Sequence, residues 1–229
     1  MILNLKCQEK EVVLNLIAKV KNLIRRLDLL SPYPIFYPFI MSKNEKVIFD
    51  RAIKKATNYL EFGLGGSSLR TLQKSKAKIY SVESSPEWIH CMRKYMILRY
   101  FNNKKLFIFP VDIGPTREWG YPESNDNKHL FPNYSSSIFQ NIDSKIINLA
   151  LVDGRFRVAC TLKIILECHT NNNFELLIHD FWNREHYHVV LKYLDILDRT
   201  NTIGLFTIKS NVDLEAVKQD YDAYKFNPD

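Results

Sequence analysis

Six short β-prone runs punctuate the chain from residue 58 onward, at 58–62, 78–83, 105–110, 146–152, 174–179 and 202–208. Helical stretches at 67–75, 86–100, 155–168 and 184–198 lie between most of them, and a last one follows at 212–224. Strands that alternate with helices build βαβ units, whose crossovers lay the strands in parallel and cover both faces with helices. The runs are nearly continuous in apolar residues, as strands buried on both sides are. The pattern therefore predicts an α/β fold, a doubly wound and mainly parallel sheet. With 184–198 read as helix, only one strong strand follows residue 180, so no closing hairpin is expected. Residues 111–135 have three prolines, two glycines and no clear period, and a loop of that length in a compact domain is usually functional.

Ahead of the sheet, Val12, Val13, Leu16, Ile17, Val20, Leu23, Ile24, Leu27 and Leu30 recur at helical spacing over residues 9–30, with Lys19, Lys21, Arg25 and Arg26 between them. Pro32, Pro34 and Pro38 end that helix. Ser42 with Glu45 forms a capping box that opens a second helix to about Thr57. The division is an N-terminal helical extension at 1–41 and a sheet domain at 42–229. Residues 1–110 carry 20 Lys and Arg against 8 Asp and Glu, whereas residues 111–229 carry 12 against 17. A basic half points to an acidic partner, although scattered cations also read as solvated helix faces. Cys7, Cys91, Cys160 and Cys168 form no CxxC pair, so neither a disulfide nor a zinc framework is expected. No run approaches the ~18 apolar residues of a membrane span. These features together predict a cytoplasmic protein with no transmembrane segment.

Only seven glycines occur in 229 residues, yet Gly63, Gly65 and Gly66 fall within four positions. They follow the strand Tyr59-Leu60-Glu61-Phe62 and open a helix at Ser67. Glycine lets a backbone come close to a ligand, and the free N–H groups of a helix start favour negative charge. Glu83 ends the next strand 20 residues after Gly63, an offset from which an acid accepts hydrogen bonds from a ribose diol. A dinucleotide fingerprint needs Gly or Ala where this chain has Ser68, which makes an NAD-linked oxidoreductase the weaker alternative.

The order Glu61-x-Gly63-x-Gly65-x-Ser67 resembles motif I of the class I S-adenosylmethionine-dependent methyltransferases. The phrases Y-L-E-F-G-L-G-G-S, D-I-G-P-T-R-E-W-G and V-D-G-R-F-R-V-A-C resemble a bacterial branch of Rossmann-like methyltransferase proteins. The resemblance implies S-adenosyl-L-methionine as cofactor, with Glu61, Gly63, Gly65, Gly66 and Ser67 near its methionine part and Glu83 on its ribose. Asp112 would neighbour the adenine amino group, between Val111 and Ile113.

Asp153 and Asp180 stand at the carboxyl ends of neighbouring central strands, with His179 beside Asp180. In catechol-O-methyltransferase-like relatives, acids at similar places hold a divalent metal with an Asn directly after the second acid. Here Phe181 takes that place and Asn183 comes two residues late, so no metal is assigned. Methyl transfer from a sulfonium is an in-line displacement that benefits from proton removal from a hydroxyl acceptor. Asp153, His179 and Asp180 are accordingly the candidate catalytic residues. Arg155 and Arg157 can grip a carboxylate or phosphate. Trp119, with Tyr121 and Trp182, can wall the acceptor. His186 and His188 read as helix-face residues. The sequence thus points to a methyltransferase for a small or saccharide-like, anionic acceptor. The alternative from another class is a non-catalytic binding or assembly module, with the N-terminal helices as a partner surface or homodimer contact. Nucleic acid is not favoured, because no Asn-Pro-Pro-Tyr or Asp-Pro-Pro-Tyr tetrapeptide follows the fourth strand to stack a flipped base.

Overall fold

The computed structural model describes residues 19–229. Helix α1 is described over residues 19–30, so the part of the expected first helix at 9–18 lies outside the described residues. Helix α2 (Lys43–Lys55) precedes strand β1 (Asn58–Phe62), α3 (Gly66–Lys74) and β2 (Lys78–Glu83). Next come α4 (Pro86–Met92), α5 (Met96–Phe101) and β3 (Leu106–Pro110). After a long connection with the short helix α6 (Pro132–Ser136), the chain forms β4 (Leu149–Val152), α7 (Arg157–Cys168) and β5 (Glu175–Ile178). It ends in β6 (Leu194–Thr200), β7 (Ile203–Ile208) and α8 (Leu214–Tyr224).

The strands form one sheet in the order β3-β2-β1-β4-β5-β7-β6. The first five are parallel, and β7 runs antiparallel to both neighbours. Period-two alternation divides the core into two layers. Leu60, Phe62, Val82, Ala150, Val152, Leu176 and Ile178 face α7 and the long connection. Tyr59, Ile79, Leu149, Leu151 and Leu177 face α2, α3 and α5. The order reverses between β1 and β4, and ligands of such sheets bind at that crevice, beyond the strand carboxyl ends.

Two expectations are corrected. The helix placed at 184–198 is a 3-10 turn over Glu185–Lys192 followed by β6, so the chain does close on a hairpin. Tyr187, Val190 and Leu194 are spaced like a helical stripe, but they are buried across the change from turn to strand. β6 lacks an alternating signal because a bulge between Ile196 and Asp198 leaves Ile196 and Leu197 both exposed. Charges and a bulge on an edge strand also discourage pairing with another chain. The helix placed at 86–100 is broken into α4 and α5 at Tyr95, whose backbone is extended. The Arg99 guanidinium accommodates that break by donating to the carbonyls of Arg93 and Lys94 at 3.0 and 2.9 Å.

The capping box forms as expected: Ser42 N donates to Glu45 Oε2 at 2.7 Å, and Glu45 N to Ser42 Oγ at 3.3 Å. Glu45 Oε1 also accepts from Thr202 N and Oγ1, at 2.9 and 2.7 Å, which ties α2 to the β6–β7 turn. Between α1 and α2 the chain runs along α3, passing Gly66 at its start and Gln73 near its end. Gln73 there donates to Pro34 O at 3.1 Å. Among the described residues no helix is long and apolar enough to cross a membrane.

Candidate functional site

At the carboxyl ends of β4 and β5, one guanidinium organises the acids. Arg157 opens α7 with its side chain only 4% exposed. It reaches Asp153 Oδ1 at 3.3 Å and Asp180 Oδ2 at 3.2 Å. It also donates to the carbonyls of Gly154 at 3.0 Å and His179 at 2.8 Å. His179 Nδ1 lies 2.9 Å from Asp153 Oδ1, and its Nε2 faces Glu45 Oε2 at 3.8 Å. Burial would lower the His179 pKa, but the Asp153 carboxylate outweighs burial and raises it. Burial would likewise raise the Asp153 pKa, and the His179 hydrogen bond and arginine charges hold it below the usual range. This pair therefore reads as imidazolium and carboxylate. The Asp153 and Asp180 side chains keep 29% and 28% exposure, whereas His179 is shut in. The structure thus brings Asp153, His179, Asp180 and Arg157 together, with Arg157 bonded internally.

Among the described residues, Asp153, His179 and Asp180 are the trio whose ligand atoms converge, within 4.8 Å of one another. The donor set does not suit a divalent cation. Such ions take several oxygen ligands, and here both carboxylates are already bound to a guanidinium while His179 turns Nδ1 to Asp153.

The glycine turn sits at the β1 end of the same crevice. Gly63 has φ +106, and a Cβ there would meet Gly154 backbone atoms at 3.1 Å. Around the place of a Cβ on Gly65 nothing lies within 4 Å, so the turn is open at that residue. Gly66 differs: a Cβ there would fall 2.2 Å from Pro38 O, so its missing side chain makes room for the protein's own chain. Glu61 and Ser67 lie behind the turn. The Glu61 carboxyl is fully buried and accepts from Tyr59 Oη at 3.0 Å, from Ser67 Oγ at 2.8 Å and from Ser68 Oγ. Glu83 accepts from the backbone N–H groups of Ser84, Ser85 and Leu64 at 2.8, 2.9 and 3.2 Å. A carboxylate takes about four donors, which leaves Glu83 one acceptor position for a ligand hydroxyl. Open space at Gly65 and spare capacity on Glu83 fit a nucleoside-bearing cofactor in the crevice.

Burial pushes the Glu61 pKa up to about 7, against the pull of the surrounding hydroxyls. The folded protein then holds a proton that the unfolded chain releases from its ordinary 4.5. Stability from this group is complete below that ordinary value and is lost as pH rises through about 7, a change of about 3 kcal/mol. His179 acts in the same sense from 6.5 upward, because its folded pKa is also raised. The melting temperature should therefore fall between pH 5 and pH 8, and Glu61→Gln should flatten the lower part of that slope. Parallel melting profiles for the two proteins would refute the assignment.

The long connection contributes less than its sequence promised. Asp112 is exposed, and its Oδ1 accepts from Gly114 N at 2.8 Å within its own turn. Trp119 is 73% exposed. Its neighbour Tyr121 stacks under Arg155, with the guanidinium carbon 4.1 Å from the ring centre. Trp182 packs against Phe181, Phe206 and His188 as part of the core. Sequence reasoning missed Tyr134, whose hydroxyl lies 2.1 Å from the place of a Cβ on Gly154, and Glu45, whose only signal was its capping pattern.

The strand order and crevice are those of the class I methyltransferase fold. Among solved structures, the chain is similar to a methyltransferase-like protein from Silicibacter pomeroyi, with TM-score 0.72 and 24% identity over 84% of this chain and 98% of that one. A Corynebacterium glutamicum protein matches at TM-score 0.50 and 7% identity, over 75% of this chain and 83% of that one. An S-adenosylmethionine-dependent methyltransferase from Aquifex aeolicus matches at TM-score 0.46 and 10% identity, over 82% and 98%. No protein-family model and no curated protein matches the chain.

Proposed function

We propose that the protein is an S-adenosyl-L-methionine-dependent methyltransferase for a small or saccharide-like, anionic acceptor. The observation that carries this reading is the crevice between β1 and β4, where the turn at Gly65 stands open beside Glu83 with acceptor capacity to spare. When bound, the cofactor supplies an electrophilic methyl group on a sulfonium. In this reading Gly63 and Gly65 bring the backbone to its methionine part, Glu83 receives a ribose hydroxyl, and Asp112 neighbours the adenine. Glu61, Gly66 and Ser67 support the turn from behind, which is how their buried contacts are best used. Asp153 receives the acceptor hydroxyl, while His179 and Asp180 fix its charge and direction; Arg155 and Trp119 serve the acceptor side. The sheet domain is 42–229 and the extension 1–41, in a cytoplasmic protein. The exposed stripe of Val20, Leu23, Leu27 and Leu30 supports a homodimer through the N-terminal helices. It equally favours the second reading, an assembly module with this fold but no catalysis.

Calorimetry with S-adenosylhomocysteine tests the cofactor assignment. Wild type should give a heat of binding, and Glu83→Ala should weaken affinity at least tenfold, about 1.4 kcal/mol. A wild-type titration without heat overturns the reading, and binding of NAD in its place would favour the oxidoreductase.

A further inference from the structure

Arg155 is a buried cation that stacks on Tyr121 but contacts no carboxylate among the described residues. The residue is 7% exposed, and its Nε is shielded from solvent without a hydrogen-bond partner. Among the described residues its guanidinium forms no ion pair, whereas Arg157 is bonded to two acids and Arg184 to Asp180 and Tyr187. Leaving a charge buried and unpaired is costly, so the position calls for an anion from outside the chain.

The surroundings define which anion. A Cβ on Gly120 would fall 3.7 Å from Arg155 Cγ and 3.8 Å from Ser84 Oγ. The side chain therefore lies between the residue after β2, the Gly120–Tyr121 turn and the end of β4, within the crevice already described. Tyr121 covers one face of the guanidinium, leaving the edge as the direction of approach. That edge is a fork of parallel N–H donors, which matches the two oxygens of a planar carboxylate. The nearby acids limit the charge that can enter. Glu83 and Asp153 flank the crevice, and Asp229 accepts from Tyr121 Oη at 3.2 Å. A dianionic phosphate would set two charges against these acids, while a carboxylate monoanion is matched one to one by the Arg155 guanidinium, with Arg117 standing further off at 5.7 Å from the Tyr121 ring.

We propose that Arg155, backed by Tyr121, is a subsite for a ligand carboxylate, while Arg157 has no part in ligand binding. The two sources of that carboxylate, the amino-acid end of S-adenosylmethionine and a carboxylate on the methyl acceptor, rest on the methyltransferase reading above.

Calorimetry with three ligands decides it, on wild type and on Arg155→Met, which keeps the stem against Tyr121. The ligands are S-adenosylhomocysteine, 5′-methylthioadenosine, which lacks the amino-acid part, and D-glucuronate with and without saturating S-adenosylhomocysteine. If the cofactor supplies the carboxylate, Arg155→Met binds S-adenosylhomocysteine at least tenfold more weakly and methylthioadenosine unchanged. If the acceptor supplies it, cofactor affinity stays constant and glucuronate binding is lost. Arg155→Lys, which keeps the charge without the fork, should fall between, and it replaces the methionine variant should that one not fold. Affinities equal to wild type in all titrations, or an equal loss for both adenosyl ligands, overturn the proposal. A wild type that binds neither adenosyl ligand removes the cofactor reading alone, since glucuronate titrated without cofactor still reports on Arg155.

Discussion

Arg157→Met should destabilise the protein by about 3–5 kcal/mol, the usual cost of removing one partner from a buried charge network. Methionine preserves most of the stem, so the loss falls on the guanidinium. Without it, Asp153 and Asp180 lose the cation they share and keep only His179 and the half-exposed Arg184 as charge partners, and the carbonyls of Gly154 and His179 lose their donor. Urea denaturation measures the effect directly, and a variant within 1 kcal/mol of wild type would show that the network carries little stability. The same substitution makes a second, opposite expectation. With the shared cation gone, Asp180 keeps Arg184 at 3.4 Å and Asp153 keeps His179 at 2.9 Å, and the side Arg157 held on each carboxylate opens to a hard divalent ion. Manganese or magnesium should then raise the melting temperature of Arg157→Met and leave that of wild type unchanged. Equal responses in both proteins would mean that the guanidinium does not occupy the cation's place.

The acid network also shows where sequence reading works and where it stops. Strand ends were legible because buried parallel strands are short apolar runs with polar residues directly after them, and Asp153, His179 and Asp180 met as that placement required. Glu83 ends β2 as its offset from Gly63 required, since one βα unit has a near-constant length. The division of labour between Arg155 and Arg157 was not legible. Both follow Asp153 within four residues, on either side of the left-handed Phe156 that precedes α7, with φ 54, a backbone turn that no residue pattern announces. Glu61 and Ser67 show a related limit. A motif records which residues accompany a turn, but not whether a side chain faces the ligand or the core. Here alternation along β1 sends Glu61 inward to the hydroxyls of Tyr59, Ser67 and Ser68. The closing hairpin was hidden because an exposed, bulged edge strand has no hydrophobic period to detect. Of the two loop aromatics named together, Trp119 and Tyr121, it is Tyr121 that stacks on Arg155. Position +1 or +2 in an irregular loop has no fixed direction, unlike a residue in a strand.

Gly63→Ala and Gly154→Ala should each loosen the crevice, but only the second should be repairable. The two glycines face each other where β1 and β4 end, and they let the two backbones come closer than side chains permit. On Gly154 a Cβ would fall 2.1 Å from the Tyr134 hydroxyl and 3.0 Å from Phe62 O. The worst contact is thus with a single side-chain atom, and overpacking of this kind costs about 1–3 kcal/mol. Tyr134→Phe removes that atom, so the double variant Gly154→Ala with Tyr134→Phe should recover part of the loss, a positive coupling in a double-mutant cycle. At Gly63 the obstacles are backbone atoms of Gly154 at 3.1 Å, and the residue itself sits at φ +106, outside the range of ordinary side chains. That strain of about 1–3 kcal/mol adds to the contact, and Tyr134→Phe offers no relief from either. Urea midpoints for the three single and two double variants would separate the cases. Equal rescue of both alanine variants by Tyr134→Phe would contradict the backbone argument for Gly63. If Gly63→Ala instead retained wild-type stability, the left-handed turn would not be a requirement of this crevice.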